Sequence, residues 1–140
     1  MTLRPEIQFT SGFPDDSIED EEGFVQWPGR NVAEALKAAL EARGYRVSDP
    51  VHMHEKGWEL DIWRGRRRFW LRISMGDVEV NYLIAENMAF LLWPDMKLYR
   101  TFLADLHNVL SADGRFTRIQ WFPKGGVHRD AAPAAGPFDD

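Results

Sequence analysis

The chain of 140 residues contains no cysteine, which removes disulfides, thiol catalysis and cysteine-held zinc from consideration. No apolar run approaches the roughly 18 residues of a membrane span. The N-terminus, MTLRPEIQF, lacks the basic-then-apolar pattern of a signal peptide. Together these absences set the expectation of a cytoplasmic protein. There is no P-loop and no G-x-G-x-x-G. No serine sits in a nucleophile-elbow pattern or has a histidine at a recognisable offset. Basic charge is also short: the net charge of −5 argues against a dedicated nucleic-acid binder, which needs a concentrated basic face. There is no internal repeat.

What is present describes one ordinary domain, at 44% hydrophobic and 28% charged residues, long enough to bury a core without staples. Residues 1–27 form an N-terminal segment with a short strand expected at Glu6–Thr10 and an acidic loop beyond it. Residues 28–122 form a single α+β domain, and 123–140, rich in small residues, Gly and Pro, is expected to be disordered. Charge is unevenly placed. Six acids (Asp15, Asp16, Glu19, Asp20, Glu21 and Glu22) and five arginines within Arg64–Arg72 form separate clusters. The acidic run reads as a solvated segment, as a docking loop for a basic partner, or as a segment lying against the chain's own arginines.

Two helices are well punctuated. The first, 31–43, has Asn31 as cap with Glu34 three residues on, a variant capping box. Val32, Leu36, Ala39 and Leu40 make its apolar stripe, and Gly44 with Tyr45 predicts a Schellman ending. The second, 95–112, opens on Asp95, buries Tyr99, Phe102, Leu103, Leu106, Val109 and Leu110, and stops at Gly114. Between the first helix and the sheet, Asp49-Pro50 interrupts an extended segment, making it an edge or two short pieces.

The sheet is expected to be an antiparallel meander over 57–93 plus a C-terminal strand 115–122, with both helices on one face. A turn at Gly65-Arg66 sets Ile62, Leu60 and Trp58 opposite Phe69, Leu71 and Ile73. A similar turn at Gly76-Asp77 sets Ile73, Leu71 and Phe69 opposite Val80, Tyr82 and Ile84. A turn near Glu86-Asn87 then leads to a fourth strand at 88–93. In this register Trp63, Trp70 and Leu83 share the outer face with Glu59, Asp61, Arg68 and Arg72. Because the side-chain period is two, any one-residue slip exchanges the faces.

Candidate chemistry is sparse. His52-x-His54, followed by Glu55, begins a metal-ligand pattern, but no third ligand is placed by spacing. Glu59 and Asp61 share a strand face, where cross-strand pairing with Arg72 and Trp70 accounts for them as well as acid–base work does. His107 sits on the helical apolar border. No catalytic residue, cofactor or metal is assigned. Arg64, Arg66, Arg67 and Arg68 crowd the first hairpin tip among tryptophans, a composition seen where single-stranded nucleic acids bind and also at charged, solubilising turns.

The helix ending ALEARGYRV, the E-K-G-W-E-L strand, and the L-x-x-L-H-x-x-L-S-x-D helix end followed by IQWF cover roughly residues 28–122. In these features the chain resembles small bacterial proteins of unassigned function, some of them immunity proteins of polymorphic toxin systems. The resemblance implies a stoichiometric binder that blocks a partner by surface complementarity, with no catalytic residue to carry over. The expected partner is a protein, or a second copy bound through the Trp63/Trp70 face. The acidic loop, the arginine tip and the Trp63–Trp70–Leu83 patch are the candidate surfaces. The alternative is a small enzyme or ligand-binding protein with a pocket near His52, His54, Glu59 and Asp61.

Overall fold

The computed structural model describes residues 3–76, 81–88, 95–126, 129 and 131–138. In chain order the elements are β1 (Glu6–Ser11), β2 (Ile18–Asp20), β3 (Gly23–Gln26), α1 (Arg30–Glu41), β4 (Arg46–Val47), β5 (Val51–His52), a 3-10 turn (His54–Lys56), β6 (Trp58–Arg64), β7 (Arg67–Met75), β8 (Asn81–Met88), α2 (Met96–Ala112) and β9 (Phe116–Phe122). Among the described residues the main sheet has seven strands, ordered β4-β6-β7-β8-β1-β9 with β5 also on β6, and β2 and β3 form a separate hairpin. The fold is α+β with an antiparallel sheet. No described helix is long and apolar enough to cross a membrane.

The first hairpin has the expected register, from Trp58↔Ile73 to Arg64↔Arg67. Gly65 takes φ 60° while Arg66 stays out of the positive-φ region, as a type II′ turn requires. The second hairpin does not have the expected register. Leu71 pairs with Ala85 and Ile73 with Leu83, three residues along from the pairing that a Gly76-Asp77 turn dictates. An odd displacement exchanges the faces. Leu83 is therefore a fully buried core residue and leaves the outer patch, while Tyr82 and Ile84 take the outer face. Asp77 and Val80 lie outside the described residues. The strand also runs unbroken through Glu86 and Asn87 to Met88, so the turn expected there does not form. The remainder of the expected strand 88–93 lies outside the described residues.

β1 is an interior strand, paired with β8 on one side and β9 on the other. One row of paired residues, Trp58, Ile73, Leu83, Ile7 and Trp121, runs from β6 to β9 through these registers, and each of its side chains is buried. Against that face pack the stripes of α1 (Val32, Ala33, Leu36 and Leu40) and α2 (all six expected residues). Phe102 stacks on Phe69 with ring centroids 4.5 Å apart. The neighbouring outer row is Glu59, Arg72, Ile84, Glu6 and Phe122.

Helix ends follow the sequence with one exception. α1 closes as a Schellman motif, with Tyr45 N donating to Leu40 O and Gly44 N to Glu41 O. Asp95 caps α2 by accepting from Leu98 N at 2.9 Å. However, α1 begins at Arg30, and Asn31 lies inside its first turn, donating its amide to Pro14 O at 2.7 Å. At the far end α2 stops at Ala112, with Asp113 as an extended cap immediately before Gly114.

Described residues of the 123–140 segment pair with the rest of the fold. Ala134 and Trp121 exchange backbone hydrogen bonds, both 2.9 Å, and Arg4 N donates to Pro137 O at 2.9 Å. Phe138 sits 5.4 Å from the Arg100 guanidinium. The physical reason is the free edge of β9, whose unpaired backbone groups meet a segment of small residues able to approach closely.

Gly57, between the 3-10 turn and β6, has φ 95°, and a Cβ there would fall 2.0 Å from Ile73 O. Gly57→Ala is expected to cost roughly 2–5 kcal/mol through backbone strain and overpacking. Urea denaturation measures it, and a loss below about 1 kcal/mol would contradict this packing.

Candidate functional site

The acidic run belongs to a small two-stranded unit of its own. It builds the β2–β3 hairpin, with Ile18 opposite Gln26, Glu19 opposite Phe24 and Asp20 opposite Gly23. Glu22 N donates to Asp20 Oδ1 at 2.8 Å across the tip, and Gly23 supplies the φ of 122° that the turn needs. Glu19, Asp20, Glu21 and Glu22 are all exposed. So are three large apolar side chains between and beside them: Ile18 at 52%, Phe24 at 39% and Val25 at 56%.

The base of the hairpin is tied down. Asp16 Oδ1 accepts from Gly29 N at 2.9 Å and Asp16 Oδ2 from Asn31 N at 2.8 Å, so a carboxylate from the loop caps α1 and sits at the positive end of its dipole. Gln26 Nε2 donates to Asp16 O at 2.7 Å. Trp27 N donates to His52 Nε2 at 3.1 Å, and Trp58 Nε1 donates to Trp27 O at 2.9 Å. Phe24 leans on Trp27, ring centroids 4.4 Å apart. Asp15 accepts from Ser17 N at 2.9 Å, and that hydrogen bond lowers its pKa. Asp15 and Asp16 thus build the base, and the four remaining acids are presented outward.

The arginine cluster is divided among separate partners. Arg64 lies 3.8 Å over the Tyr45 ring, donates to Arg43 O at 2.7 Å and approaches Asp105 at 3.8 Å. Tyr45 OH in turn donates to Asp105 Oδ2 at 2.6 Å. Burial, first, and then the Asp105 carboxylate hold the Tyr45 hydroxyl well above the ordinary tyrosine range. Arg68 pairs with Asp61 at 2.6 Å. Arg66 is exposed at the tip and Arg67 half-buried. On the outer sheet face Trp63 is covered by the Arg46 guanidinium at 4.4 Å, and Trp70 neighbours Arg72 at 5.6 Å. The face is therefore a mosaic of half-buried aromatic and charged groups without Leu83.

His52, His54, Glu59 and Asp61 are engaged with separate neighbours. The two imidazoles lie 4.8 Å apart, but the Nε2 of His52 is occupied as an acceptor, Asp61 is held by Arg68 and Glu59 faces Val51 and Arg72 in register. No group of three or more metal-ligating side chains occurs among the described residues. The residues missed by the sequence reading are Ile18, Phe24 and Val25. An Asp at the first and a Gly at the fourth position of Asp20–Gly23, flanked by apolar residues, is the composition of a type I turn and was the available signal. No protein family, curated protein or solved structure was found that matches this chain.

Asp16→Ala removes both cap hydrogen bonds and is expected to cost about 1–2 kcal/mol, with faster hydrogen exchange at Gly29 and Asn31. Unchanged exchange at those two amides would rule out the remote cap. His52 also makes the hairpin base pH-sensitive. Burial, then the neighbouring His54, lowers its pKa below 6.5. The unfolded chain then binds the proton more readily than the folded one, so stability is full above about pH 6.5 and falls as pH drops toward the folded pKa. Protonated Nε2 can no longer accept from Trp27 N. Melting curves between about pH 7.5 and pH 5 are expected to show a shallower decline in His52→Gln than in the wild type. Parallel declines would refute the assignment.

Proposed function

We propose that this protein is a non-enzymatic protein-binding module, immunity-like in its manner of action, whose β2–β3 hairpin docks on a basic protein surface. The observation that carries the reading is the hairpin itself. Three of the six exposed large apolar side chains among the described residues stand on it, beside four outward acids. Apolar anchors within a charged rim are the anatomy of a recognition surface. A base fixed by five hydrogen bonds reduces the ordering cost of presenting them. Acids at the tip select a basic partner and accelerate its encounter.

A photo-crosslinking residue at Val25, with a control at the exposed Asn108 of α2 and a third at Trp70, tests it in cells that express the protein. The expected result is a single adduct with a basic protein from Val25 alone. With that partner, Phe24→Ser is expected to cost about 2 kcal/mol of binding energy, and Glu21→Lys with Glu22→Lys to slow association and reverse its salt dependence. Identical labelling from Val25 and Asn108 would refute the hairpin as an interface. An adduct confined to Trp70 would also refute it, moving recognition to the sheet face.

A further inference from the structure

On the outer sheet face, between the rows Ser74–Tyr82–Gln8 and Arg72–Ile84–Glu6, lies a cavity of about 240 Å³. The 3-10 turn supplies one wall through Glu55 and Lys56, and Glu6, Arg72, Ser74, Tyr82 and Ile84 complete the lining. Two of these groups are out of keeping with an ordinary surface depression. Glu6 is only 5% exposed. Its Oε2 accepts from Gly125 N, while its Oε1 is buried without a hydrogen-bond partner. Arg72 Nε is likewise buried without one. Unpaired buried carboxylate and guanidinium atoms are costly, and each requires an explanation.

They do not satisfy each other. In register Glu6 and Arg72 flank Ile84, two strands apart, so their backbones are separated by about 9–10 Å. No ion pair joins them, and the Gly125 amide holds the Glu6 carboxylate on its own side. Lys56 adds a second cation near Arg72, and Glu55 a second carboxylate, so the walls carry two charges of each sign. A bare cation would meet Arg72 and Lys56, and a bare anion would meet Glu6 and Glu55. A ligand with both charges at short separation answers both ends.

We propose that this cavity binds a small zwitterion of the α-amino acid class, its ammonium drawn to the Glu6 and Glu55 carboxylates and its carboxylate to the Arg72 and Lys56 cations, with Ile84 beneath the ligand's carbon frame. The site is distinct from the hairpin surface and does not depend on the protein-binding reading. Ser74 Oγ donates to Lys56 O at 3.2 Å, which fixes the 3-10 turn against the sheet and keeps the cavity's wall in place.

The test is an amide-shift NMR titration of the full chain with each of the standard L-amino acids in turn. At least one is expected to saturate shifts at Glu6, Arg72, Ser74 and Ile84 with a Kd of about 0.1–10 mM, the range open to so few heavy atoms. The corresponding amine without the carboxylate, and the acid without the ammonium, are expected to bind at least about tenfold more weakly. Glu6→Gln and Arg72→Met are each expected to weaken binding by a similar factor. Because Glu6 is in an interior strand, Arg72→Met on a chain with unaltered melting temperature is the decisive variant. No saturable shift with any amino acid would overturn the proposal. So would equal binding by the single-charge halves, or an Arg72→Met protein that binds like the wild type.

Discussion

The insertion of β1 between β8 and β9 is the pairing on which the rest of the molecule depends. It joins the meander to the last strand, and without it the sheet would end at β8 and leave β9 with no partner in the main sheet. Ile7 and Phe9 point into the core and Glu6 and Gln8 to the other face, so the parity of this one strand decides both the packing and the cavity. Closing the first strand onto the last spans most of the chain, an entropic cost that local turns cannot offset. The offset is the buried row Trp58, Ile73, Leu83, Ile7 and Trp121. The pairing also tolerates one irregularity: between Gln8 and Thr10 the register shifts, with Arg118 at φ 51°, a bulge that adds twist at the end of the sheet.

Local punctuation explains why some of this was legible in advance. The β6–β7 register follows from one glycine and two alternating strands, and the Schellman ending of α1 from Gly44 and Tyr45. The β7–β8 register was not accessible by the same means. Val80, Tyr82 and Ile84 alternate as well as Asn81, Leu83 and Ala85 do, and both sets offer an apolar face. What selects between them is tertiary. Tyr99 OH donates to Ala85 O at 3.0 Å, and Ala85, buried opposite the fully buried Leu71, needs room for a methyl group only. A tyrosine ring opposite Leu71 would have to occupy that space. On the other side, Asn81 is buried with its amide toward Phe9 O. No pattern along β8 alone carries this information.

The candidate interaction surface was half legible for a related reason. A run of six acids is visible as charge, but its division into a structural pair and an exposed quartet depends on contacts distant in sequence. Asn31 has the composition of a cap, yet the first turn of α1 takes its acceptors from Asp16, fifteen residues earlier. A remote carboxylate does more than a local side chain here, because it satisfies two backbone donors and ties the hairpin to the domain in one interaction. An isolated two-stranded hairpin is marginal in water. The hydrogen bonds of Asp16, Gln26 and Trp27 allow the tip to remain apolar and exposed without unravelling.

The segment from Val51 to Trp58 touches both surfaces, since His52 and Trp58 hold Trp27 while Glu55 and Lys56 line the cavity. Contact of that kind is not yet coupling. For an occupant of one surface to change affinity at the other, the segment must have two arrangements that the occupant distinguishes. Its geometry argues against a second arrangement. Met53 N donates to Gly57 O and Gly57 N to His54 O, closing the turn on itself. Gly57 lies so close to the Ile73 carbonyl that even a methyl group has no room, and Ser74 Oγ holds the turn from the sheet side. A connection packed this tightly behaves as a strut. On this geometry, an occupant of the proposed cavity site is expected to leave the affinity of the proposed hairpin surface unchanged.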